Sequence, residues 1–115
     1  MAHVIHGLLA RSAREHGEAV AVADDSRSVT YAELDRLSSQ AAGVLVELGV
    51  RPGDTVAVRA VKSVQTVACL YGIMRAGAAY VPVDPMAPPQ RVAQVIDDLE
   101  LRGQNQRAVL AQADR

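Results

Sequence analysis

Aromatic residues are scarce in this chain of 115 residues, which has three Tyr and neither Phe nor Trp. Its core therefore has to be built from Ala, Val, Leu and Ile, which bury less area per side chain than aromatic residues do. The single Cys, Cys69, excludes an internal disulfide, and its strongly apolar surroundings predict a buried, inert thiol. Half of the residues are apolar, which is too many for a disordered chain.

Charge of one sign is not in excess either. Twelve Lys and Arg residues stand against thirteen Asp and Glu, and the formal net charge is −1. Nucleic acids and anionic membrane surfaces attract chains with a basic excess, so neither is predicted as a partner. No apolar run approaches the roughly 18 residues of a membrane helix, and the N-terminus lacks the pattern of a secretion signal. The sequence therefore predicts a cytoplasmic protein.

Motifs that carry chemistry are missing as well. Neither G-x-G-x-x-G nor G-x-x-x-x-G-K-[ST] occurs, and the eight glycines are dispersed, mostly at predicted helix ends. His3 and His6 would share one helix face but have no third ligand nearby. The adjacent carboxylates of Asp24-Asp25 and of Asp97-Asp98 point in different directions, and no serine lies in a G-x-S-x-G context. The sequence therefore predicts no catalytic, no cofactor-binding and no metal-binding residue.

What remains is a regular alternation of helices and strands. Thr30 and Glu33 form a capping box, Ser63 can cap another helix, and Gly49 and Gly77 are helix stops. The pattern predicts helices over residues 4–16, 31–48, 64–76 and 90–99, and strands over residues 19–23, 28–31, 55–59 and 79–83.

Two details refine this pattern. Pro82 lacks an N–H, which places its strand at a sheet margin or makes the proline a strand end. Residues 107–111 are predicted as a last strand, with a helix through residue 113 as the alternative. The alternation predicts an α/β fold with a partial, largely parallel sheet flanked by helices.

Two stretches carry more than this generic pattern. Residues 29–34, VTYAEL, resemble the first core motif, LTYxEL, of the adenylation domains of nonribosomal peptide synthetases. Residues 74–85, MRAGAAYVPVDP, resemble their second core motif, LKAGxAYVPLDP, and residues 88–92 continue it as that family does. The spacing between the motifs is also similar. The chain is thereby identified as the N-terminal part of an adenylation domain of the AMP-forming acyl and aminoacyl ligase superfamily.

The resemblance implies that the fold is the start of the large N-terminal subdomain of such a domain. It also implies a complete enzyme that joins a carboxylic acid to AMP using ATP and Mg²⁺ and passes the acyl group to a carrier-protein thiol. The family's phosphate loop, ribose-binding Asp, acid pocket and catalytic Lys come later in sequence, so no catalytic residue is carried over. Residues 1–115 are expected to be one fragment, family-like over 4–100, with a divergent tail over 101–115 that residues 102–106 interrupt.

Three functions fit these expectations. In the first, the chain is a fragment or subunit of an amino-acid-adenylating enzyme and needs a complementing chain; alone it is not catalytic and binds neither ATP nor Mg²⁺. In the second, it is a non-catalytic interaction module that forms homo-oligomers. In the third, it is a truncation without independent activity.

Overall fold

The structure is a computed structural model that describes the backbone of residues 2–59, 61–102 and 108–111, and the side chains of residues 7–59 and 61–97. Its elements follow the predicted order, and their ends differ from the predicted ones by at most three residues. The helices are α1 (Ala2–Glu15), α2 (Tyr31–Glu47), α3 (Val64–Arg75) and α4 (Pro89–Arg102), and the strands are β1 (Val20–Ala23), β2 (Ser28–Thr30), β3 (Thr55–Arg59), β4 (Ala79–Val83) and β5 (Ala108–Ala111).

Three parallel strands form the central sheet, in the order β4-β3-β5. The predicted strand near the C-terminus is confirmed as β5, and the prediction for Pro82 is confirmed because β4 lies at an edge of the described sheet. Strands β1 and β2 form a separate antiparallel hairpin with an irregularity between Val20 and Val22. The predicted α/β class with a partial, largely parallel sheet is thus confirmed.

Helices cover the two faces of the central strand. Val56 and Val58 point to one face, where they are buried against residues of α2 and α3, among them Ile73. Ala57 points to the other face and packs with Val92 of α4. This division follows from the alternation of side chains along a strand, and it explains why β3 is apolar at successive positions.

Helix α2 begins with the predicted capping box. The Thr30 side chain accepts a hydrogen bond from the Glu33 backbone at 3.2 Å, and the Glu33 carboxylate accepts one from the Thr30 backbone N–H at 2.8 Å. The bond from the Thr30 backbone N–H is the largest of the causes that lower the pKa of Glu33, followed by a hydrogen bond from the Thr30 side chain, because both favour the charged carboxylate. The cap orients α2 so that Leu34 packs with Leu9 and Val64 in a second cluster, under the hairpin and α1.

Helix α3 is sandwiched as its nearly all-round apolar sequence predicts. It contacts α1, α2 and the sheet, and its positions Val64, Ala68 and Ile73 are buried. None of the described helices is long and apolar enough to cross a membrane. The predicted interruption at residues 102–106 lies outside the described residues, apart from Arg102.

Candidate functional site

The second core motif builds the turn between α3 and β4. Gly77 has a φ of +81°, a conformation that side chains rarely adopt, and it ends the helix. Its carbonyl accepts a hydrogen bond from the Gly53 N–H at 3.0 Å, and the Ala79 N–H donates to the Asp54 carbonyl at 2.9 Å. The motif is therefore held against the turn that precedes β3, which gives a structural reason for the spacing between the two segments.

Asp54 is the buried polar residue of that turn. It is 4% exposed, and its carboxylate accepts a hydrogen bond from the Arg51 backbone N–H at 2.8 Å. A cavity of about 470 Å³ opens beside it, lined mainly by small residues together with Met74 and Tyr80. This hydrogen bond to the Arg51 backbone closes the turn, so the Asp54 carboxylate has a structural role.

The carboxyl ends of parallel strands are where open α/β sheets bind ligands. At this edge, Arg59 at the end of β3 donates from Nη1 to the Pro85 carbonyl at 3.2 Å, and its buried Nε has no partner among the described residues. Asp84 accepts a hydrogen bond from the Met86 N–H at 2.9 Å and closes the turn after β4. The strand of the second motif thus ends in a turn that is hydrogen-bonded to Arg59 of β3.

The N-terminus of α3 is occupied by the chain itself. Ser63 Oγ accepts a hydrogen bond from the Thr66 N–H at 3.1 Å, as predicted for a cap. Asp24, in the hairpin turn, accepts a second one from the Val64 N–H at 2.8 Å. Helix N-termini can bind phosphate through free N–H groups, but here Ser63 and Asp24 take up two of those groups.

The charge state of Asp24 follows from these bonds. Its carboxylate also accepts hydrogen bonds from the Ser26 and Arg27 backbone N–H groups, at 2.8 and 2.9 Å. The bond from Val64 is the largest of the causes that lower the pKa of Asp24, followed by the bonds from Arg27 and Ser26. Asp24 is therefore an anionic cap that joins the hairpin to α3.

Ser38 and Ser39 of α2 and Cys69 of α3 have structural surroundings as well. Ser38 is buried and donates to the Asp35 carbonyl at 2.9 Å, and Ser39 accepts from Arg75 Nη1 at 2.7 Å. Cys69 is half-buried, and burial raises the pKa of its thiol, which disfavours a reactive thiolate. The side chains of the His pair near the N-terminus and of residue 98 lie outside the described residues.

A metal site does not fit the described part of the chain. Over those residues no group of three or more His, Cys, Asp or Glu side chains lies close enough together to hold an ion. The finding is limited to the described side chains, so the expectation that this chain supplies no catalytic, nucleotide-binding or metal-binding residue stays a prediction.

Two long-range contacts were not predictable from local sequence patterns. Arg75 forms an ion pair with Asp35 across α2 and α3, and Asp24 caps a helix that begins 40 residues later. Both join residues that are far apart in sequence, and a sequence pattern records only neighbours within a few residues. The capping-box and Ser63 signals were readable because cap and helix are contiguous.

Comparisons with known proteins agree with this architecture. A family model described as AMP-binding enzyme matches residues 9–104. Over 97 residues the chain is 41% identical to syringomycin synthase SyrB1 of Pseudomonas syringae pv. syringae. The aligned segment covers 84% of this chain and 16% of that protein.

Two solved structures contain the same fold. The inhibitor-bound N-terminal domain of FACL13 from Mycobacterium tuberculosis matches with a TM-score of 0.82 and 26% identity, over 94% of this chain and 26% of that chain. The nonribosomal peptide synthetase FmoA3 in its AMPPNP-bound form matches with a TM-score of 0.77 and 31% identity, over 95% of this chain and 13% of that chain. The chain thus spans 26% or less of each of these three proteins.

Proposed function

Because this chain belongs to the AMP-binding enzyme family, as the N-terminal part of a nonribosomal peptide synthetase adenylation domain, we propose that it works with a complementing chain to activate an amino acid. In the proposed reaction a carboxylate oxygen of the amino acid attacks the α-phosphorus of ATP, and pyrophosphate leaves. A carrier-protein thiol then attacks the acyl carbon, and AMP leaves. The carrier protein is therefore a second partner of the complemented enzyme.

The observation that supports the proposal is that both core motifs of this chain have structural roles. The two core motifs present here form a helix cap and a strand that enters a hydrogen-bonded turn, and both are structural roles. The matched part is 16% of SyrB1, so most of such a protein lies outside the part that this chain resembles. In the proposal the complementing chain supplies the ATP site, the acid pocket and the Mg²⁺ ligands, for which the described residues offer no set.

The proposal includes the whole chain and its location. Residues 1–115 act as one N-terminal subdomain fragment, family-like over 4–100 with a divergent tail over 101–115. The chain itself supplies no catalytic, nucleotide-binding or metal-binding residue. It works in the cytoplasm, where ATP and carrier proteins are available to it.

Amino-acid-dependent exchange of pyrophosphate into ATP tests this proposal. The purified chain is mixed with proteins encoded beside its gene, and exchange is measured over a panel of amino acids. Exchange that requires both chains supports the proposal. If no neighbouring protein associates with the chain or produces exchange, the split-enzyme proposal fails, and a self-associating module or a truncation without activity of its own remains.

A second candidate function is a non-catalytic module that associates with itself. The observation in its favour is apolar exposure on one face at the end of α2, where Val44 and Leu48, four residues apart, are 55% and 74% exposed. Exposed apolar patches of this kind often mark protein interfaces. Analytical ultracentrifugation separates the two candidates: a stable symmetric oligomer that needs no partner favours the module, and a monomer favours the split enzyme.

A further inference from the structure

A second cavity lies between the hairpin and three helices, among residues of the cluster around Leu9 and Leu34. It has a volume of about 340 Å³, and α1, β1, α2 and α3 each contribute residues to its wall. Leu9 and Leu34 are buried, at 4% and 3% exposure, whereas Leu8 on the same wall is 55% exposed. The cavity is therefore closed by the core on one side and open to solvent beside α1.

The wall of this cavity carries no charge. It consists of aliphatic residues and of three residues with hydroxyl groups, and among the described residues no Asp, Glu, Lys, Arg or His borders it. Burying a charged group without an opposite charge is costly, because the ion loses its hydration. The cavity therefore suits an uncharged molecule, and neither an amino acid zwitterion nor ATP fits it.

Three hydroxyl groups provide the polar part of the wall. Ser12 lies in α1, Tyr31 begins α2, and Tyr71 lies in α3. All three side chains are half-buried, and none of them forms a hydrogen bond with another of the described residues. A hydroxyl without a protein partner keeps its donor and acceptor capacity for a ligand, and Tyr rings add flat apolar faces. The wall can therefore hold an aromatic ring by apolar contact and orient it through one polar group.

We propose that this cavity, which we call the Tyr31–Tyr71 cavity, binds a small, uncharged aromatic molecule with one hydrogen-bonding group, such as an aryl amine or a phenol. Its volume lies at the lower end of the range of about 300–1,000 Å³ for ligand pockets, which suits a molecule of two or three rings. A mainly apolar wall with a few polar groups is also typical of such pockets. The inference goes beyond the proposed function and does not rest on it, because the lining residues all belong to this chain.

The neutral dye N-phenyl-1-naphthylamine, which has three aromatic rings and one N–H group, tests the inference. The dye is titrated into the full chain, and its fluorescence gives the Kd. The matched control is 1-anilinonaphthalene-8-sulfonate, which adds a negative charge to the same rings. We expect saturable binding of the neutral dye, with a Kd at least about tenfold lower than that of the sulfonate, because the cavity offers no partner for the charge.

Filling the cavity should remove the neutral dye. Ala21→Leu places a larger side chain in the wall of the Tyr31–Tyr71 cavity, and Ala79→Leu makes the same change in the cavity beside Asp54. We expect Ala21→Leu to raise the Kd at least about tenfold, because its side chain takes the space of the dye, and Ala79→Leu to change it less than about twofold. Thermal unfolding of each variant shows whether it is folded.

A milder change keeps the test valid if Ala21→Leu does not fold. Tyr31→Phe combined with Tyr71→Phe removes two hydroxyls and retains the rings, so the Kd should rise about threefold, as for the loss of about one hydrogen bond. Tyr80→Phe makes the same change in the cavity beside Asp54 and should leave the Kd unchanged. Fluorescence that does not saturate, equal affinities for the two dyes, an unchanged Kd in the double variant, or a larger loss from Ala79→Leu than from Ala21→Leu would overturn the inference.

Discussion

Gly72 lies where α3 packs tightly against α2, and replacing it with Ala should destabilise the protein. A Cβ at this position would lie 2.7 Å from the Cβ of Ala41 and 3.0 Å from both the Ala42 nitrogen and the Ser38 carbonyl oxygen. Two of these atoms are backbone, so no side-chain rotation relieves the contact. The helices would have to move apart, which would also disturb the ion pair between Arg75 and Asp35.

The expected magnitude combines two opposing effects. Replacing Gly by Ala within a helix favours folding by about 1 kcal/mol. Overpacking a tight core typically costs about 1–3 kcal/mol, and contacts with backbone atoms place Gly72→Ala at about 3 kcal/mol. The net loss is about 2 kcal/mol, which corresponds to a Tm lower by about 8 °C at about 4 °C per kcal/mol.

Gly43→Ala is the matched control, because Gly43 lies in α2 and a Cβ there would meet no atom within 4 Å. The same substitution should therefore raise the Tm by about 4 °C through helix propensity alone. Thermal unfolding followed by circular dichroism measures both variants. Removing the nearest contact with Ala41→Gly should recover about 1 kcal/mol in a double-mutant cycle with Gly72→Ala. An unchanged or raised Tm for Gly72→Ala would refute the close-packing explanation.

Three further predictions concern single residues. Because the pKa of Asp24 is lowered in the folded chain, its carboxylate contributes fully to the free energy of unfolding at neutral pH, and this contribution decreases as the pH falls below the ordinary value of 3.8. Urea titrations should therefore show that Asp24→Asn loses less stability than the parent chain between about pH 6 and pH 3. Gly77→Ala should lower the Tm more than Gly53→Ala does, because both positions have positive φ, at +81° and +90°, but only at Gly77 would a Cβ lie 3.2 Å from Pro52. Burial raises the pKa of Cys69, so a thiol reagent should modify the folded chain more slowly than the urea-unfolded chain at pH about 8, and equal rates would contradict the burial.

The predictable part of the fold is the part whose signals are local. Strands β3 and β4 were predicted with the bounds that the structure has, because a turn or a helix stop adjoins each of them. The α2 capping box was predicted with both of its residues, since Thr30 and Glu33 lie within one helical turn. Helix α4 is the least accurate, extending three residues beyond its predicted end to Arg102, although Gly103, the next residue in sequence, is a helix-stop signal that the prediction did not use.

The unpredicted part consists of contacts between elements. Asp24 was assigned to a turn, yet its carboxylate also caps α3, a contact that depends on where the hairpin packs. Gly72 interrupts an apolar helix without any sequence signal that α2 approaches there. The order of the strands in the sheet was also not predicted, because the order of strands along the chain does not indicate that β3 lies between β4 and β5.

The same distinction explains why the family could be identified while no catalytic residue could be assigned. The residues that make the second motif recognisable serve the packing of α3 and β4: Gly77 permits the turn against Pro52, and Asp84 closes the turn after the strand. A motif whose residues have such packing roles identifies the fold and does not itself indicate catalytic residues. Tyr80 differs from the other motif residues because its side chain lies on an uncovered face of the sheet. Tyr80 lines the cavity beside Asp54 together with Met74 and is 40% exposed, so its contacts within this fold cover only part of the side chain.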